Sequence, residues 1–138
     1  MLKSHTECWS GEVIKFVLIL ALSISSLFAI EFHSYEDALK MQKQNKKIIM
    51  IDVVRTGCHY CENMHRDVFE DKEMSKWLED RFIAVKINMD SEKLPLGLRV
   101  NFTPTFYFID ANKKVVKTIP GSWNIEDFKD LTKPSYKE

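Results

Sequence analysis

Two cysteines three positions apart, in the segment Cys58-His59-Tyr60-Cys61, are the residues whose types and spacing promise chemistry. They follow an apolar, β-branched run, Ile48 to Val54, and precede a stretch with helical patterning. A cysteine at a helix N-terminus faces unpaired backbone N–H groups and the positive end of the helix dipole, both of which favour the thiolate. Cys58 is therefore the expected nucleophile. Cys61, one turn later on the same side, can attack a mixed disulfide made by Cys58 and so serves as the resolving thiol. Between them, His59 and Tyr60 are the candidate substrate-facing residues. A protonated His59 would also favour the thiolate and make the disulfide more oxidising, unless it is simply exposed at a turn.

Asp52 is the other conspicuous residue, a carboxylate within an apolar strand. Burial there is costly unless the group is hydrogen-bonded or used, and it raises the pKa, which suits a base that takes the proton of Cys61. The alternative is an aspartate at a strand end that reaches solvent or caps a neighbouring backbone group. Other readings of the cysteine pair fare less well. Haem attachment needs a histidine directly after the second cysteine, where Glu62 stands. Zinc could recruit Cys58, Cys61 and His65, but no second ligand pair accompanies them. A structural disulfide over so short a loop removes little chain entropy.

The elements that must position these groups are legible as patterns. Ser34 with Asp37 opens a helix running to about Gln44. Ile48–Val54 reads as a strand covered on both faces. Arg55-Thr56-Gly57 ends it, a helix follows from about Cys58 to Val68, and Asp71 caps a continuation carrying Met74, Trp77 and Leu78. Phe82–Ile87 is a second strand. Leu94–Val100 is a short helical segment with Pro95 in its first turn. Phe106–Ile109 and Val115–Ile119 form a hairpin about Asp110-Ala111-Asn112-Lys113. Asn124 caps a last helix, and Pro134 leads a polar tail. This order predicts an α/β domain with one sheet and helices on its faces.

Composition bounds the rest. The chain has 138 residues, 20 basic and 20 acidic side chains and three cysteines, which suits one domain and gives no basic field for nucleic acid. The apolar block Phe16–Ile30 has the size of a signal-peptide core and rises about 22 Å as a helix, short of the roughly 30 Å of a bilayer interior. Residues 1–29 are thus expected to be a signal peptide cleaved after Ala29, or an uncleaved signal anchor that supplies any membrane contact, and 30–138 the domain. Cys8 leaves with the leader, and the mixed charges before Lys15 suggest a true translation start near Val13. An exported domain with only Cys58 and Cys61 left is not a disulfide scaffold.

Together these residues resemble the thioredoxin superfamily over most of residues 32–132: the C-x-x-C after an apolar strand, the aspartate six positions earlier, and Thr103-Pro104-Thr105 before a strand. The segments C-H-Y-C-E-N-M-H-R-D-V-F-E-D-K-E-M and F-I-A-V-K-I-N-M-D are similar to the exported branch that includes the C-terminal domain of DsbD and SoxW-like proteins. The resemblance implies a thioredoxin fold, a central mixed β-sheet flanked by helices. It also implies a cis bond before Pro104 beside the disulfide, and Thr103 backbone groups offered to a bound substrate chain. The expected function is a periplasmic thiol-disulfide oxidoreductase, acting as a reductase on protein disulfides and recharged by a redox partner protein. No cofactor beyond the Cys58/Cys61 disulfide is expected. The rival expectation is a thioredoxin-fold binding or metal-carrier module. The chain departs from thioredoxin itself in carrying Gly57 where a tryptophan precedes the first cysteine, and His59-Tyr60 in place of Gly-Pro.

Overall fold

Six apolar residues broken only by Asp52 cannot face water on either side, and Ile48–Val54 (β2) accordingly lies at the centre of a five-stranded sheet. The computed structural model describes residues 29–133. The expected leader, the start near Val13 and the polar tail led by Pro134 lie outside these residues, apart from Ala29 itself.

The other strands are Phe32–His33 (β1), Phe82–Asn88 (β3), Thr105–Ile109 (β4) and Val115–Pro120 (β5), in the order β1-β3-β2-β4-β5. β1, β3 and β2 run parallel, whereas β4 is antiparallel to β2 and β5 to β4, so the sheet is mixed. The helices are Tyr35–Asn45 (α1), His59–Met64 (α2), Lys72–Glu79 (α3) and Ile125–Thr132 (α4). Side chains alternate across a strand, and the two faces of β2 bury different sets. Met50 joins Phe82, Ala84, Phe106 and Phe108 under α2, α3 and α4, with Met64, Phe69, Leu78 and Phe128 above them. Ile49, Ile51 and Val53 join Ile83, Val85, Tyr107 and Ile109 under Ala38 of α1, with Leu94, Leu98 and Val100 packed alongside.

The expected caps form. Ser34, Asp71 and Asn124 side-chain oxygens accept from the backbone N–H of Asp37, Met74 and Asp127 at 3.1, 2.8 and 2.8 Å. Three expectations need correction. The helix from Cys58 does not stay α-helical to Val68. It changes at His65 into a π-helical turn, His65–Phe69, closed by the Glu70 N–H on the His65 carbonyl at 2.9 Å. That wider turn accompanies the burial of Val68 and Phe69. The segment Leu94–Val100 shrinks to a 3₁₀ turn at Pro95–Gly97, because Leu96 and Gly97 both take left-handed backbone conformations that no helix propagates. β1 was not expected at all. Two residues carry no period, and their strand character comes only from pairing with Ala84 and Val85.

Phe69 fastens the α2 segment to the sheet. Its ring meets those of Phe32, Phe106 and Phe128 edge-on, with centroids 5.6, 6.0 and 6.0 Å away. Such pairs add about 0.5–1.5 kcal/mol each beyond burial. Ile30 joins the same core, buried, with its N–H donating to the Phe69 carbonyl at 3.2 Å. No helix among the described residues is long and apolar enough to cross a membrane.

Candidate active site

Cys58 and Cys61 are joined in a disulfide with their Cα atoms 5.3 Å apart. The chain reaches them through Gly57, whose φ of +67° is the left-handed conformation that a side chain disfavours. Cys58 is the N-cap of α2, with extended backbone, and its sulfur takes the place of a capping oxygen. The Cys61 N–H donates to Cys58 Sγ at 3.2 Å, and the Thr103 hydroxyl donates to the same sulfur at 3.3 Å. Donors aimed at one sulfur favour its anionic form.

Thr103 comes from the neighbouring strand: it lies just before β4, whose Thr105 pairs with Val53 near the end of β2. The Thr103–Pro104 bond is cis, Pro104 is buried, and its carbonyl accepts from the Gly121 N–H at 2.8 Å. The following loop closes over α2, with the Trp123 N–H against Met64 Sδ at 3.1 Å. Tyr60 and Phe102 are exposed, at 64% and 55%. His59 is exposed too, and its Nε2 faces the Asn63 amide at 3.5 Å while its ring stacks obliquely near Tyr60.

In β2, which leads to the pair, Asp52 is only 3% exposed and its Oδ1 is buried with no hydrogen-bond partner. Burial pushes its carboxyl up to about 7, opposed by the positive charge of Lys86. An open cavity of about 280 Å³ lies beside the disulfide, lined by Cys58, Cys61, Glu62, His65 and Lys86 together with Val54, Arg55 and Gly57. Among the described residues no group of three His, Cys, Asp or Glu is placed to hold a metal ion.

The structure thus brings Cys58, Cys61 and Thr103, with the cis Thr103–Pro104 bond, together, buries Asp52 in β2, and leaves His59 and Tyr60 exposed. Sequence reasoning missed Lys86, although its signal was the same as that of Asp52: a lone charge in an apolar strand. It also considered His65 only as a zinc ligand. Nothing local pointed to Trp123 or Phe102, whose places depend on the cis turn and on the loop after β5.

A family model described as a thioredoxin-like domain matches residues 35–134. A thioredoxin from Thermus thermophilus is 27% identical, with a TM-score of 0.65, over 75% of this chain and 85% of its own. A putative disulphide-isomerase from Bacteroides thetaiotaomicron is 25% identical, with a TM-score of 0.63, over 75% and 89%. A curated relative, an uncharacterised protein of Caenorhabditis elegans, is 35% identical over 60 residues, and the match spans 44% of this chain and 8% of that much longer protein.

Proposed function

This chain belongs to the thioredoxin-like domain family, and on that premise we propose that it is a periplasmic thiol-disulfide oxidoreductase that reduces protein disulfides through Cys58 and Cys61. The observation that carries the reading is the Cys58 sulfur, capping α2 and receiving hydrogen bonds from Cys61 and Thr103. An inert disulfide has no need of such donors, whereas a leaving or attacking thiolate does.

In the reducing direction the Cys58 thiolate attacks one sulfur of a substrate disulfide. A Cys58–substrate bond forms, the substrate bond breaks, and the other substrate sulfur leaves as a thiolate that takes a proton from water. Cys61 then gives its proton to Asp52 and attacks Cys58 Sγ, which closes the Cys58–Cys61 bond and expels the second substrate sulfur. Two electrons pass to the substrate, and a partner dithiol protein returns them. The substrate chain lies along Thr103 and Pro104, with His59 and Tyr60 at its border. No bound cofactor is required. The reductase direction and the periplasmic site draw support from the exported-branch resemblance and the apolar leader block.

Insulin reduction driven by a dithiol donor tests the mechanism. Cys58→Ser abolishes it, and Cys61→Ser accumulates a mixed disulfide visible by mass spectrometry. Full exchange by Cys58→Ser would overturn the assignment, and stoichiometric zinc with no insulin reduction would transfer the pair to metal binding. A potential near about −270 mV supports the reductase direction, and one near about −120 mV reverses it.

A further inference from the structure

Lys86 stands directly opposite Asp52 in the register of β2 and β3, so the two side chains leave the same face of the sheet. A flexible ammonium beside a buried carboxylate with an unpartnered oxygen should close on it. It does not. The Lys86 ammonium donates to Nδ1 of His65 at 3.3 Å and lies 4.3 Å from the centre of the Phe32 ring.

An ammonium has only donors, so Nδ1 of His65 must be the acceptor and the ring is neutral, with its proton on Nε2. Nε2 faces Oε1 of Glu70 at 3.4 Å, which fits that tautomer. Burial and the charge of Lys86 both push the His65 pKa down, and Glu70 opposes them. The aromatic face of Phe32 supplies a second attraction for the cation. His65 starts the π-helical turn and Phe32 lies on the edge strand β1, the two elements the sequence did not reveal.

We propose that His65 is a positioning residue: with Phe32 it holds the Lys86 ammonium toward the cavity and off Asp52, so that the carboxyl has no ion-pair partner when Cys61 attacks. The proposal rests on Asp52 being the proton acceptor for Cys61. The charged and titratable groups facing this cluster are Arg55 and Glu62 at the cavity, Glu70 on His65, and the two cysteines once reduced. Of the charged groups, Lys86 is the one that acts on Asp52 in the oxidised protein.

The test is a ¹³C-carboxyl NMR titration of Asp52 in the oxidised full chain. In His65→Leu, Lys86 loses its acceptor and pairs with Asp52, and the midpoint falls by about one pH unit or more. His65→Asn, whose Oδ1 replaces Nδ1 as acceptor, keeps it within ~0.3 of the native value. Lys86→Met alone raises it by less than ~0.5. An unchanged midpoint in His65→Leu overturns the proposal. So does a rise of more than about one unit in Lys86→Met, which would mean that the ion pair already exists. In the exchange assay, the pH at half-maximal release of substrate by Cys61 falls in His65→Leu by the same amount. The titration reads Asp52 whether or not the pair exchanges disulfides, so failure of the functional reading, seen in Cys58→Ser, is distinguishable from failure of this one.

Discussion

Asp52, the proton acceptor proposed for Cys61, carries an energetic consequence of its own. Its folded pKa lies near 7 against an ordinary 3.8, because burial disfavours the charged form. A group whose pKa is raised on folding contributes stability below its unfolded pKa and loses it as pH rises through the folded value. Between pH 4 and pH 7 the oxidised chain therefore loses up to about 4 kcal/mol through this residue. Asp52→Asn is expected to match the native chain near pH 4 and to exceed it by roughly 2–4 kcal/mol at pH 8.5, measured by urea unfolding of the oxidised forms. A difference that stays flat across that range would remove Asp52 from the buried titrating groups. The same substitution slows Cys61 attack by roughly 10²-fold, as expected when a general base is lost. Asp52 was legible in sequence because one charge interrupted an apolar run. Lys86 carried the same signal in β3, but its partner could not be read, since register across strands is not a local property.

At the scale of elements, α2 and its π-helical turn set where the two sulfurs sit, and Phe69 ties that segment to the sheet through Phe32 and Phe106 and to α4 through Phe128. Phe69→Ala removes a fully buried ring and should cost about 3–5 kcal/mol in urea unfolding. Asp71→Ala removes only the cap of α3 and should cost about 1 kcal/mol. If the two losses were equal, the aromatic cluster would not be the anchor of α2. The caps of α1, α3 and α4 were legible because a capping side chain acts on a backbone N–H three residues away. The π turn was not, because an α-helix satisfies the local hydrogen bonds equally well and only packing against β1, β4 and α4 selects the wider turn.

For the whole molecule, one neutral domain accounts for the described residues, and the apolar surplus of the sequence divides between its two cores and the block that precedes them. Ile30 belongs to the core although it ends that block, being buried and bonded to Phe69. A chain cleaved after Ala29 would place its new α-ammonium on the Phe69 carbonyl and strengthen that hydrogen bond by its charge. N-terminal sequencing of the chain from a periplasmic fraction is therefore expected to begin at Ile30. A start at or before Lys15 in that fraction would show the leader to be retained as an anchor.

By itself the sequence determined the fold class, the paired thiols at a strand-to-helix junction, the lone aspartate in the strand before them and the helix caps, because each is read from patterns of residues close together along the chain. Tertiary structure alone decided which groups surround the sulfurs and which carboxylate goes unpaired. The Thr103 hydroxyl reaches Cys58 across 45 positions, and Lys86 reaches His65 across 21. Contacts of that span are fixed by strand order and register, which the chain acquires only when β3 lies beside β2 and the cis turn before β4 closes against α2.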